Sequence, residues 1–357
     1  MAIEDFEVAI KQIKKWFDIY ALGGSRKNLT IQYLGGEILT IPKEILTKCV
    51  EFARKELSPL FDSFQDGVQT NLIGSWERVE FLANLFSPSH VGTSVDNFTN
   101  QRKVAGSPQK YKTIMMANQT KFKKAFGAFV PGIVVVDALS LPKLKEEIQI
   151  AQQQGYHLNI RTVFNGGKDK VSSAEVDTLI PKYVELFNDW ALKQKIILQP
   201  FYQLLASRLG ERFPSVYADF YTFNTGCPFQ HDCALKSFDL EPNGDVYVCQ
   251  DMADSRQFKL GNALSGEFDE LLFNKLVSRS NFLDQTCQTC SFVKSCQGGC
   301  MSEAIHHRGD IFGKTDYCGL WKALFAEIDK TLDQNTPEKV AHWLKFIESK
   351  YRPYSDS

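Results

Sequence analysis

The stretch CQTCSFVKSCQGGC, residues 287–300, sets four cysteines in fourteen positions. Eight of the nine cysteines in this 357-residue chain fall within 92 residues: Cys227, Cys233, Cys249, Cys287, Cys290, Cys296, Cys300 and Cys318. Only Cys49 lies outside that region. A segment so rich in thiols, with little helical periodicity before 319, has little apolar core of its own. What the thiols hold therefore decides how it folds. The N-terminus, MAIEDFEVAIKQIKKWF, is charged and amphipathic and is not a secretion signal. No apolar run reaches transmembrane length. The expected compartment is the cytoplasm, where thiols stay reduced and clustered cysteines read as metal or cluster ligands before disulfides.

The spacings are C-x5-C-x15-C, then C-x2-C-x5-C-x3-C, then C-x17-C. A C-x2-C step lets two sulfurs converge on one centre. Eight thiolates suffice for two four-cysteine zinc sites. They also suffice for two 4Fe–4S clusters, each of which takes four cysteines. Ligand count leaves both open.

The first two hundred residues follow a different rule. Apolar runs at 29–34 (LTIQYL), 67–71, 90–95, 132–138, 157–164 and 196–200 alternate with helical patterns at 3–20, 41–57, 75–86, 141–155 and 173–194. Strand and helix alternating in this way predict βα units and a parallel α/β sheet. Small polar clusters follow successive strands: Gly35-Gly36-Glu37, Gln69-Thr70-Asn71, Ser94 with Asp96, and Asn165-Gly166-Gly167. Singly, each is turn chemistry. Their recurrence at strand ends points to a shared pocket, because ligands bind there in parallel sheets. FDLEPNGDVYVC (238–249) predicts a hairpin at Asn243-Gly244. Residues 319–331 and 337–350 are helical again. The formal net charge of −1 gives no electrostatic case for nucleic acid or an anionic membrane. His231, His306-His307 and Gly23-Gly24 show no arrangement that argues for a site beyond turns and surface.

From Cys233 the pattern reads C-x10-G-x4-C, gap, C-x2-C-x5-C-x3-C, gap, C, with Gly244 at the spaced glycine. This resembles the seven-cysteine signature of radical SAM/SPASM maturases. Cys227 matches the eighth thiol of the anaerobic sulfatase-maturating group, which modifies proteins. Upstream, Gly35-Gly36-Glu37-Ile38 resembles that family's GGEP motif, with isoleucine for proline. Thr70-Asn71-Leu72 resembles its TNG, and Ser94-Val95-Asp96-Asn97 its SLDG. The resemblance implies one 4Fe–4S cluster on Cys227, Cys233, Cys249 and Cys300, and a second on Cys287, Cys290, Cys296 and Cys318. It implies S-adenosylmethionine contacts from Gly35, Gly36, Glu37, Asn71, Ser94 and Arg102. A candidate base, Asp251, stands one position later than the family's aspartate, since Gln250 follows Cys249.

The fold so implied is a partial TIM-like (βα) barrel lacking its first strand (1–205), a bridge (206–226), a loop-rich SPASM region (227–320) and C-terminal helices (321–357). The sequence has no CxxxCxxC, the motif that holds the family's SAM cluster. Two expectations follow: an N-terminally incomplete chain, which the preserved pocket motifs favour, or a natural cluster-bearing subunit without catalysis. Either way this chain alone is expected not to cleave SAM reductively. Expected partners are a peptide or protein substrate, an electron donor, and a partner that supplies the first strand. A zinc-stabilised binding module is the remaining alternative.

Overall fold

The computed structural model describes residues 1–20, 28–163, 175–217, 229–230 and 232–349. Of the motifs singled out above, Gly23-Gly24, Asn165-Gly166-Gly167, Cys227 and His231 lie outside the described residues.

Six strands form one parallel sheet in sequence order: β1 (Asn28–Tyr33), β2 (Ser63–Thr70), β3 (Val91–Ser94), β4 (Gly132–Val136), β5 (Leu158–Thr162) and β6 (Leu198–Gln199). Helices α1 (Ile3–Ile19), α2 (Lys43–Leu57), α3 (Trp76–Phe86), α4 (Pro108–Phe126), α5 (Leu144–Gln154), α6 (Val176–Trp190) and α7 (Phe201–Arg212) accompany them. Strand, crossover helix and adjacent parallel strand repeat without a skipped neighbour. That is the winding of a (βα) barrel, left open between β1 and β6. The expected partial barrel is therefore the observed fold. The division expected at 205 falls inside α7.

The barrel helices form where their apolar residues fall on one stripe. In α6, Leu179, Tyr183, Leu186, Phe187 and Trp190 recur at helical spacing and are all buried. They pack with Phe201 of α7, with Phe187 and Phe201 edge to face at 5.7 Å. Helices α8 (Cys233–Lys236), α9 (Gln250–Ser255), α10 (Glu270–Val277), α11 (Gln285–Gln288), α12 (Val293–Cys296) and α13 (Met301–Arg308) belong to the cysteine-rich region. They surround an antiparallel sheet of β7 (Asp239–Leu240), β8 (Asp245–Tyr247), β9 (Gly261–Asn262) and β10 (Glu267–Phe268), ordered β10-β9-β8-β7. The β7–β8 hairpin closes over Gly244, whose φ of +87° suits glycine. A Cβ there would meet Leu264 at 2.6 Å.

Two further helices, α14 (Cys318–Asp333) and α15 (Pro337–Ser349), return to the barrel. Leu320, Leu324, Phe325 and Ile328 of α14 join the core of α6 and α7. Arg208 grips the Asp329 carboxylate with both forks, at 2.7 and 2.9 Å. At the other end, α1 buries Ala9, Ile13, Trp16 and Phe17 against Ala53 and Leu57 of α2 and against Val246, Met252 and Leu260 of the cysteine-rich region. Tyr20 stacks on Phe268 at 4.2 Å and its hydroxyl donates to Glu270. No described helix is long and apolar enough to cross a membrane.

Phe187 is fully buried among aromatic neighbours that cannot collapse into the space it would leave. Phe187→Ala should cost about 3–5 kcal/mol, read as a lower midpoint in denaturant. A loss under ~1 kcal/mol would show a core looser than this packing.

Candidate functional site

One cavity of about 2080 Å³ opens inside the barrel. Gly35, Gly36, Glu37, Asn71, Ser94 and Arg102 all line it, and Asp251 reaches it from the cysteine-rich region. The sequence-predicted residues of the pocket thus share one space.

Each reaches the wall through a carboxylate that folds its loop. Gly35 turns the chain after β1 at a φ of +115°. Glu37 then caps the short turn 38–40 by accepting the Leu39 N–H at 3.2 Å. The same carboxylate accepts the Thr70 hydroxyl at 2.5 Å and the Asn71 N–H at 2.9 Å, tying the ends of β1 and β2 together. Those three donors leave the carboxylate little capacity for a ligand, so Glu37 is first a brace. Leu72, where the family motif has glycine, holds a left-handed φ of 58°. It is buried, with its carbonyl accepting from Asn118 Nδ2. Leucine adopts a backbone here that suits glycine, at a cost of roughly 1–2 kcal/mol.

After β3, Asp96 accepts the Thr99 N–H and hydroxyl and the N–H groups of Gln101 and Arg102, at 2.6–3.2 Å. Burial alone would raise this carboxyl's pKa, but the Thr99, Arg102 and Gln101 bonds outweigh it and hold it below the ordinary value. Asn97 hydrogen-bonds both oxygens of buried Glu147, and Lys112 donates to the Asn97 carbonyl. The loop so fixed carries Arg102 to the cavity. There it acts electrostatically on Tyr111, whose hydroxyl donates to the Ser94 carbonyl.

On the opposite wall, Cys249 is the N-cap of α9, so Gln250 and Asp251 begin a helix that faces the barrel. Arg161 of β5 pairs with Asp251 at 2.5 Å. Burial raises the Asp251 pKa, and Arg161 opposes the rise. Asp239, beside Glu241, Asp254 and Asp251, is pushed up to about 6, mostly by burial. Glu303 of α13, buried and accepting the Thr315 hydroxyl at 2.6 Å, is pushed up to about 7 by burial.

Sequence reasoning missed Arg161, Tyr111, Glu147 and Glu303. Arg161 left a trace: a cation near the carboxyl end of a strand, where its side chain can reach the cavity. Tyr111 and Glu147 read as ordinary helix residues.

The cysteines gather in two groups. Cys287, Cys290, Cys296 and Cys318 line one small cavity with Phe292 and Phe325. They come from α11, the turn after it, the end of α12 and the start of α14. Cys233 at the head of α8, Cys249 and the α13 N-cap Cys300 form the second. Cys249 interacts electrostatically with Cys233 and Cys300, and Cys233 with Cys300. Cys296 interacts instead with Cys318, Cys287 and Cys290. Burial pushes the Cys233 and Cys296 thiols up to about 12, and it raises Cys249 and Cys287 as well. Cys49, half-buried in α2, stands apart from both groups. Among the described residues, no three His, Cys, Asp or Glu side chains converge to hold a single metal ion. A cubane asks for a different arrangement, since its four thiolates each take a separate iron. The donor set fits such a centre: all thiol, drawn from separate turns and sealed by aromatic rings. So does a buried N–H without a partner, Arg279 Nε, on the residue that Cys233, Cys300 and Cys287 act upon.

The sequence matches no protein-family model and no curated protein. Solved structures do match. The fold aligns with native anSMEcpe with bound AdoMet at a TM-score of 0.70, over 94% of this chain and 89% of that one, at 16% identity. It aligns with the same protein carrying AdoMet and a peptide at a TM-score of 0.68, over 93% and 89% of the two chains, again at 16% identity. Streptococcus suis SuiB bound to S-adenosylmethionine aligns at 0.55 over 89% of this chain and 70% of that one, also at 16% identity. The class this defines is a fold: an open parallel (βα) barrel followed by a cysteine-rich region and C-terminal helices. Particular proteins that share it include anSMEcpe and SuiB.

An exposed glutamate ionises near 4.5 and Glu303 near 7. Between those values the folded chain keeps a proton that the unfolded chain has lost, so stability falls as pH rises through this window. Glu303→Gln should flatten that slope and leave the variant more stable above pH 7, by about 1–3 kcal/mol. Denaturation midpoints at pH 5 and pH 8 would test this; equal slopes in both proteins would refute it.

Proposed function

We propose that the chain is a radical SAM/SPASM-type iron–sulfur protein that takes part in modifying a peptide or protein side chain. The observation carrying this reading is the convergence of Gly35, Gly36, Glu37, Asn71, Ser94 and Arg102 on one cavity. These residues arrive from three strand ends and match three separate motifs. The aligned structures, which hold AdoMet and in one case a peptide, add support.

In this reading S-adenosylmethionine supplies radical chemistry when it is bound beside a reducible cluster. The chain's own residues bind and orient it. Arg102, whose backbone N–H is held by Asp96, pairs with its carboxylate. The Gly35 and Gly36 carbonyls accept from its ammonium group, and Glu37 keeps that edge in place. Ser94 and Asn71 offer further hydrogen bonds. Asp251 is positioned by Arg161 to take a proton from a substrate at the cavity wall. Cys227, Cys233, Cys249 and Cys300 would hold one 4Fe–4S cluster, and Cys287, Cys290, Cys296 and Cys318 another. These would pass an electron from a donor protein or anchor the peptide. The reducing cytoplasm would suit such centres.

The chain carries no CxxxCxxC, so by itself it does not cleave SAM. Strand β1 hydrogen-bonds only to β2 among the described strands, and its residues border the cavity. That edge of the sheet is open to a further strand. The same missing motif favours a second reading, a cluster-bearing subunit without catalysis of its own. Upstream DNA separates them, through an in-frame CxxxCxxC or an in-frame stop.

Anaerobically purified protein should contain about eight irons per chain, with matching sulfide. Two zincs and no sulfide would overturn the assignment. Arg102→Ala should weaken S-adenosylmethionine binding by roughly 10- to 100-fold, measured by calorimetry. Unchanged affinity would remove Arg102 from the pocket's function.

A further inference from the structure

Arg279 has no exposure at all. Its guanidinium carries five N–H donors, and four have carbonyl partners. Nη1 donates to Ile311 and, at 3.1 Å, to Gly313; Nη2 donates to Gly298 at 3.3 Å and Gly299 at 3.4 Å. The fifth, Nε–H, is buried without a partner. Carbonyls satisfy hydrogens but do not neutralise charge. Among the described residues no carboxylate forms an ion pair with Arg279, and Asp310, the acid that acts on it, is exposed. A buried cation left in this state costs several kcal/mol. The other groups that act on it electrostatically are thiols: Cys233 and Cys300 of one group and Cys287 of the other. Its carbonyl partners Gly298 and Gly299 join Cys296 of one group to Cys300 of the other.

We propose that Arg279 is the shared positive charge of the two cysteine centres: its carbonyl ties hold it at the interval between Cys296 and Cys300, its Nε–H is left for a thiolate sulfur once a cluster is bound, and its charge makes both centres easier to reduce. This rests on the cluster reading above. Four thiolates on a cubane leave net negative charge, and reduction adds more. A desolvated cation nearby favours the reduced state.

The test compares wild type, Arg279→Gln and Arg279→Lys, purified anaerobically. Iron and sulfide are counted, and the centres are titrated with reductant under EPR and visible absorbance. Arg279→Gln should shift at least one midpoint to more negative potential, and Arg279→Lys should shift it less. Full iron content with unchanged midpoints in Arg279→Gln would overturn the inference while leaving the clusters standing. Wild type without iron and sulfide would overturn the cluster reading and the inference together. If Arg279→Gln retains no iron, the iron-free proteins decide by thermal melting. A counter-charge without its partners is a burden, so iron-free Arg279→Gln should melt at or above iron-free wild type. A lower melting point would make Arg279 a loop tie and nothing more.

Discussion

Parallel strands end together on one side of a sheet, and the loops that leave them carry N–H groups needing acceptors. Here carboxylates supply them. Glu37 accepts from Leu39 and Asn71 beyond β1 and β2. Asp96 accepts from Thr99, Gln101 and Arg102 beyond β3, and Asp137 from Leu139 and Ser140 beyond β4. Each acid converts a flexible exit into a fixed wall. The cavity exists because these loops are held back from its centre, and Glu37, Thr70, Asn71 and Arg102 supply part of its polar lining.

Much of this was legible in the sequence. Strands buried by helices on one side and the barrel interior on the other tend to be apolar runs, and all six were readable as strands, although β2 is mostly polar and was legible only over 67–71. The helices with long apolar stripes stood out too, α6 above all. The four-residue helices α8, α11 and α12 did not, because one turn has no period to read. The pocket motifs were visible as polar clusters after strands, but their internal bonding was not. That Asp96 fixes Arg102, or that Glu37 is mostly spent on Thr70 and Asn71, depends on neighbours in space. Leu72 shows the opposite case. The residue departs from the TNG pattern while the backbone keeps the left-handed turn, so a motif judged by letters alone undercounts the likeness.

The cysteine-rich region is ordered by a different economy. Its sheet has strands of two or three residues, and its helices are mostly single turns. Apolar burial here is thin between the thiols and thicker where α1 and α2 lend their faces. Gly298 and Gly299 take φ of +81° and +75°, and side chains there would strike Leu283 and Thr315. The interval between Cys296 and Cys300 is therefore constrained by backbone shape as well as by spacing.

The shared packing around α1 reaches further than either region. Trp16 lies against Phe268, some 250 positions later in the chain, and Ala9, Ile13 and Phe17 sit in the same core as Val246 and Met252. Excising the cysteine-rich portion would leave these side chains in water, and it would strip α1 from its seat. The N-terminal helix and the thiol-bearing tail thus share one core, so loosening either should loosen the other. Evolution can retune their surfaces separately, but neither can be shuffled into another architecture without carrying the other along.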